Sequence, residues 1–272
     1  MSEPIQAAPR WRPAPFLQAS GALHAGAAVM TLLRPQLWPW ALGAVALNHA
    51  ALTAAGLWPR SHWLGPNWIR LPAPSIALGR VAVTIDDGPD PEVTPRVLSL
   101  LGSYRVRATF FCVGERVERH ADLAREIVRL GHCIENHSQH HRHTFSLLGP
   151  RAMHDEILKA QHGIARVSGI EPVFFRAPAG LRNPFLDPVL SRLRLRLAAW
   201  THRGFDTVNG NADQVYRHLT RSLAAGDILL LHDGHAARGR LGTPVIIEVL
   251  PRLLETLLAR QLEPITLREA LT

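Results

Sequence analysis

Asp86 and Asp87 stand side by side at the end of the run Val81-Ala82-Val83-Thr84-Ile85, immediately before Gly88-Pro89. Neighbouring carboxylates repel each other unless a cation or a proton lies between them, so such a pair at a strand end points to metal binding or acid/base work. Asp-Asp-Gly on its own also suits a turn, and the decision rests on what partners the rest of the chain supplies. His137 and His141 are four residues apart, which on a helix or compact turn directs both rings the same way. With one carboxylate they form a two-histidine, one-carboxylate set suited to a divalent ion with open positions. Among 15 histidines such a pair arises easily by chance, and His132, His140 and His143 read as solvated or structural. Three further stretches carry chemistry: Arg176-Ala177-Pro178-Ala179-Gly180, Trp200 leading to Asp206, and His232-Asp233-Gly234.

Beyond residue 80, apolar runs alternate with helical periodicity. Strands are expected near 81–85, 108–113, 132–135, 173–175, 195–200, 228–231 and 264–267. Helices are expected near 93–104, 115–130, 150–168, 184–194, 211–225 and 244–261. Thr94-Pro95 and Gly149-Pro150 suit helix starts, and Gly131 and Gly169 suit helix stops. Seven strands alternating with helices imply an α/β fold with a parallel sheet, either a barrel or an open doubly wound sheet. In both, functional residues gather at the C-terminal ends of the strands. The residues singled out above all fall there.

Thr84-Ile85-Asp86-Asp87-Gly88-Pro89, His137-Ser138-x-x-His141, Arg176-x-Pro178-x-Gly180, Asp206 and Leu230-x-His232 resemble the five ordered motifs of the polysaccharide deacetylases, the NodB-homology or family 4 carbohydrate esterases. The resemblance covers residues 78 to 272. It implies a distorted, incomplete (β/α) barrel of about seven parallel strands and metal-dependent removal of an N-acyl group from an amino sugar. It also implies Asp87, His137 and His141 as ligands of one divalent ion, often zinc in that family, and Asp86 as general base. Arg176 matches the arginine that holds the base, Asp206 the carboxylate that holds the acid, and His232 the general acid. The Ala179 N–H, between Pro178 and Gly180, matches the oxyanion donor, and Leu230 the wall for the acyl methyl. The chain departs from the pattern at Ile85 (usually Phe), Arg142 (commonly Pro), Ala179 (commonly aromatic), Arg203 (often acidic) and Thr207 (usually Trp).

Ahead of this domain, residues 1–14 form a polar, proline-rich tail containing Arg10 and Arg12. Residues 15–58 hold two uncharged runs separated by Arg34-Pro35-Gln36, with Trp38, Trp40 and Trp58 near the ends of the second. A spanning helix needs about 20 apolar residues, and tryptophans favour the interface, so a transmembrane helical hairpin in a bacterial inner membrane is expected. Arg10, Arg12, Arg60 and Arg70 outnumber Arg34 in the turn, which places tail and domain together in the cytoplasm. Residues 59–77, with Pro59, Pro66, Pro72 and Pro74, read as a linker.

The net charge of +8 comes from arginines spread along the chain, with Lys159 the only lysine, and no basic patch interleaves with aromatics. That excludes a nucleic-acid partner, and nothing in the sequence requires a protein partner. Cys112 and Cys133 read as two buried thiols, though a bond between neighbouring strands is open. Arg182, Arg238 and Arg240 lie on strand-end loops and would suit phosphate through forked hydrogen bonds. With the membrane lipid contact of the hairpin, they point to a lipid-phosphate-linked amino sugar rather than a soluble polymer, while an N-acylated polysaccharide stays open as the other substrate. The alternative is a catalytically silent saccharide-binding membrane protein that keeps the fold.

Overall fold

The computed structural model describes residues 11–272; Arg10 and the rest of the expected tail before Trp11 lie outside the described residues. Helices α1 (Pro15–Leu33) and α2 (Trp38–Leu57) form an antiparallel hairpin, each with a proline in its first turn, where a missing N–H costs nothing. Both are long and apolar enough to cross a membrane, and they present apolar side chains outward, Leu32 at 80% and Trp40 at 76% exposure. Their polar residues face each other instead. Asn48 Nδ2 donates to Ser20 Oγ at 2.8 Å, and His24 Nε2 lies 3.2 Å from His49 Nε2. Such pairing satisfies polar groups that an apolar surrounding could not.

The connection 59–77, which includes α3 (Ala73–Ala77), is packed along the domain rather than loose. Leu64 and Leu71 are buried, the Trp68 N–H donates to Leu197 C=O, and the Ala199 N–H donates to Trp68 C=O, both at 2.9 Å. The domain then runs β1 (Arg80–Asp86), α4 (Thr94–Ser103), β2 (Thr109–Cys112), α5 (Gly114–Arg119), α6 (Ala121–Arg129), β3 (Cys133–Asn136) and α7 (Pro150–Ser168). It continues through β4 (Phe174–Phe175), α8 (Leu186–Arg192), β5 (Arg196–Leu197), β6 (His202–Arg203), α9 (Ala212–Thr220), β7 (Ile228–His232), α10 (Val245–Ala259) and β8 (Glu263–Ile265).

The strands form one curled parallel sheet in the order β5-β4-β3-β2-β1-β7-β6, with β8 beside the start of β1. The run expected at 195–200 is the beginning of a longer extended segment. Its first residues, β5, pair with β4, and its last, β6, pair with β7. Because the sheet curls, one segment reaches both edges, and the barrel stays incomplete between them. The helix expected at 115–130 is two helices broken at His120, which leaves the helical region with φ −118° and ψ 51°.

Side chains alternate across each strand. Val81, Val83 and Ile85 of β1, with Leu229 and Leu231 of β7, pack outward against the helices. Ala82, Leu230 and Ile228 point inward with Phe111 and Phe174. The inward period continues to Asp86 and His232 at the strand ends. Glu135 on β3 is buried and pins β4, accepting from the N–H groups of Val173 and Phe174 at 2.8 Å each and from Arg268 Nε at 2.6 Å. Cys112 and Cys133 are both free. The register pairs Cys112 with Asn136 and Cys133 with Thr109, an offset of three residues, or roughly 10 Å, that no disulfide spans.

Candidate active site

In the parallel register of β1 and β7, Thr84 stands beside Leu230 and Asp86 beside His232. Arg176 leaves β4 and extends across the barrel, where it is fully buried. Its Nη1 donates to Asp86 Oδ1 at 2.6 Å and to Thr84 Oγ1 at 2.8 Å, Nη2 donates to Ala199 C=O at 2.7 Å, and Nε to Ala198 C=O at 3.1 Å. The guanidinium lies 4.0 Å from the Phe111 ring centroid. Burial pulls the Arg176 pKa down, and the charge and hydrogen bond of Asp86 oppose that.

Asp87 faces the other way. Its Oδ1 lies 3.3 Å from His137 Nε2 and 3.1 Å from His141 Nε2. The histidines sit on a compact turn rather than a helix, closed by the His141 N–H donating to Ser138 Oγ at 3.1 Å. His137 Nδ1 donates to Arg176 C=O at 2.8 Å, which leaves Nε2 with its lone pair. Arg142, the departure from the expected proline, joins His140 in pairing with Glu156, at 3.1 and 2.7 Å. Five residues of the site take left-handed φ values: Asp87 (76°), Ser138 (64°), His141 (47°), Ala179 (55°) and His235 (86°). Such backbone strain gathers where side chains must be aimed.

These residues fit a divalent cation. The donor atoms of Asp87, His137 and His141 lie within 4.8 Å of one another, and Asp87 Oδ1 is buried without a hydrogen-bond partner. Burial opposes ionisation of Asp87, but the imidazoles of His137 and His235 beside it hold its carboxyl well below the usual range. Burial, with His137 beside it, pulls His141 down to about 4, keeping its imidazole neutral and able to ligate.

His235 was not among the expected site residues. Its Nε2 lies 2.9 Å from Arg116 Nη2, which can only donate, so the ring proton sits on Nδ1 and points to Asp87 Oδ2 at 3.2 Å. The approach requires Gly234, where a Cβ would overlap both Arg116 and the Asp87 carbonyl. Donors behind a ligating carboxylate orient it. His235→Ala is therefore expected to weaken divalent-cation binding about 10- to 100-fold, read by competition with a chromogenic chelator; unchanged affinity would remove His235 from the site.

His232 Nδ1 lies 2.8 Å from Asp206 Oδ1, and the His232 N–H donates to Asp206 Oδ2 at 2.7 Å. Burial disfavours charge on His232, but Asp206, with Asp86 and Asp87 beyond it, pushes the imidazole up to about 9. A folded pKa above the ordinary 6.5 stabilises the fold below pH 6.5, and that contribution is lost as pH rises through about 9. Asp206→Asn should abolish this loss in the metal-free protein and shift any alkaline limb of a pH–rate profile toward lower pH. Thermal melts and rates across pH 6–10 (roughly the range this residue spans) would show it; superimposable profiles would contradict it.

Asp86, Asp87, His137, His141, Ala179, Leu230 and His232 surround one cavity of about 330 Å³, together with His143, Gly180, Trp200, Arg203, Thr207 and His235. Arg176, Pro178 and Asp206 stand behind its wall, all buried. The three arginines expected on the rim lie elsewhere. Arg182 is buried against Ser61 C=O, drawn there by the packed connection. Arg238 forms a fork with Glu92 at 3.1 and 2.7 Å, which neutralises it. Arg240 lines a separate surface depression with Arg238 and Arg252. His143, expected to be solvated or structural, lines the cavity, whereas His132 accepts the Ala108 N–H as a structural residue.

Comparison with known proteins supports what this geometry suggests. A model of the polysaccharide deacetylase family matches residues 78–198. A peptidoglycan-N-acetylglucosamine deacetylase of Bacillus cereus is 33% identical over 175 residues, 64% of this chain and 81% of that protein. A chitooligosaccharide deacetylase of a Bradyrhizobium species is 33% identical over 156 residues, 57% of this chain and 71% of that protein. The crystal structure of a peptidoglycan N-acetylglucosamine deacetylase superposes with a TM-score of 0.68 at 25% identity, covering 75% of this chain and 92% of that one. A relative 33% identical and covered over 81% of its length, together with the family model, assigns the fold and its strand-end site to an established group: the chain belongs to the polysaccharide deacetylase family.

Proposed function

We propose that this protein is a metal-dependent hydrolase that removes an acetyl or formyl group from the nitrogen of an amino sugar. The observation that carries the reading is the division of labour between two adjacent carboxylates: Asp86 is held by Arg176, while Asp87 is turned to two histidines. Asp87, His137 and His141 would hold the cation, with zinc the expected ion. When bound, it supplies Lewis-acid polarisation of the acyl carbonyl and a water of lowered pKa.

The chain's own residues do the rest. Asp86 Oδ1 is occupied by Arg176, which leaves Oδ2 to take the proton from the attacking water. The Ala179 N–H donates to the developing oxyanion. His232, across the sheet register from Asp86, delivers its proton to the departing nitrogen as the amide bond breaks, and Asp206 stabilises the charged ring. Leu230 walls the space for the acyl methyl.

The hairpin anchors the domain to the membrane in this reading, with arginine placement favouring the cytoplasmic side. The pocket wall meets the end of α2: the Arg182 N–H donates to Gly56 C=O at 3.1 Å, and Gly180, at φ 74°, packs where a Cβ would crowd Trp200 and Pro59. A cavity beside the point where the chain leaves the hairpin favours a lipid-linked saccharide. Full-length protein in detergent should release acetate or formate from N-acyl sugars, lose that activity with chelator and recover it with zinc. Glycan binding without acyl release would instead indicate a silent binding protein.

A further inference from the structure

Arg203 stands where the resemblance leads to an acidic residue, and neither the cation site nor the His232–Asp206 pair uses it. It ends β6 and stands beside Leu230 in the register with β7, lining the same cavity as Asp86 and His232. Its guanidinium carbon lies 5.6 Å from the Trp200 ring centroid and 5.3 Å from that of Phe205. Two aromatic rings therefore restrict where it points. Its buried Nε has no hydrogen-bond partner among the described residues. The neighbouring carboxylates are engaged elsewhere: Asp86 with Arg176, Asp87 with three histidines, and Asp206 with His232.

An unpaired buried donor is costly, and a guanidinium held in place by aromatic rings is a forked donor already oriented for a carboxylate or a phosphate. Among the described residues, none around it offers an anion for that fork. We propose that Arg203 binds an anionic substituent of the substrate, so that the substrate class is an acidic N-acyl amino sugar, carrying a carboxylate or a phosphate ester close to the reacting amide. Its place beside Leu230 puts the charge on the reacting sugar or the adjoining residue. This inference rests on the deacetylase reading above and narrows its substrate.

Three sugars test it with the zinc-loaded full chain: a neutral N-acetylglucosamine disaccharide, N-acetylglucosamine joined to a uronic acid, and N-acetylglucosamine 1-phosphate. Both kcat/KM for acetate release and Kd by calorimetry are measured. The wild type should favour one acidic sugar over the neutral one by about 10- to 100-fold, the range of a charge-assisted hydrogen bond. Whichever acidic sugar is favoured separates carboxylate from phosphate. Arg203→Gln should lose most of that preference while changing the neutral sugar by no more than about threefold, and Arg203→Lys should keep part of it. Equal losses on all three sugars, or no wild-type preference, would overturn the anion site. If no sugar is turned over, the deacetylase reading fails, and binding still decides this one. Weaker binding of the acidic sugar alone in Arg203→Gln supports the site, and equal Kd values for neutral and acidic sugars refute it.

Discussion

Asp86→Asn is expected to lower kcat for acyl release by about 100- to 10,000-fold, the usual contribution of a general base, while zinc content stays at the wild-type level. Asparagine keeps the shape of the side chain, and its amide oxygen can still accept from Arg176, so the barrel interior need not rearrange. What it loses is the ability to take a proton. Metal retention follows from geometry: Asp86 Oδ2 is 3.8 Å from His137 Nε2, whereas Asp87 and the two histidines converge on one point. His137→Ala is the contrast, since it should lose both zinc and activity. Metal analysis and single-substrate kinetics on the two variants separate the roles. If Asp86→Asn kept activity within tenfold of wild type, roughly below the smallest such effect, the base would have to be sought elsewhere.

Arg176→Ala should destabilise the fold by about 3–5 kcal/mol, the cost of leaving one member of a buried ion pair alone. The side chain is fully buried and forms four hydrogen bonds, to Asp86, Thr84, Ala198 and Ala199. Removing it strands the Asp86 carboxylate and two carbonyl oxygens inside the barrel and leaves a void over Phe111. Lysine cannot reproduce the forked contacts, so Arg176→Lys should restore only part of the loss. Pairing Arg176→Met with Asp86→Asn removes both charges together, and the double variant should melt well above the sum of the single losses. Thermal melts in detergent would measure the wild type, each single variant and the double variant. A melting temperature unmoved in Arg176→Ala would show that the pair contributes little to the fold.

The strand ends were legible because a parallel sheet with helical crossovers has a simple grammar: β-branched and aromatic runs, helix signals between them, and polar residues where the strands stop. Asp86, His137, Arg176 and His232 each fall at a strand end by pattern alone. The extended segment from Arg196 to Arg203 was harder, because its two halves pair with different edges of the sheet, and that depends on curl rather than on local pattern. His235 was obscured for another reason. In a histidine-rich chain, one more ring beyond His232 carries no signal until Arg116, more than a hundred residues earlier, fixes its tautomer and aims it at Asp87.

The arginines show the same boundary from the other side. Arg182, Arg238 and Arg240 follow active strands in the chain, yet Arg238 is paired with Glu92 and Arg182 is drawn into the packed connection. Arg203 looked in the sequence like a mere departure from a pattern, and the fold leaves it as an unpaired donor facing the cavity. Side-chain type and period alone set the α/β class, the order of the strand-end residues and the identity of the chemical groups. The tertiary structure decided which charges are already satisfied, because an ion pair depends on distances between residues far apart in the chain. It also decided how the two adjacent aspartates divide. Asp86 keeps the inward period of β1 and meets Arg176, while Asp87 departs from the strand at positive φ and turns to the histidines.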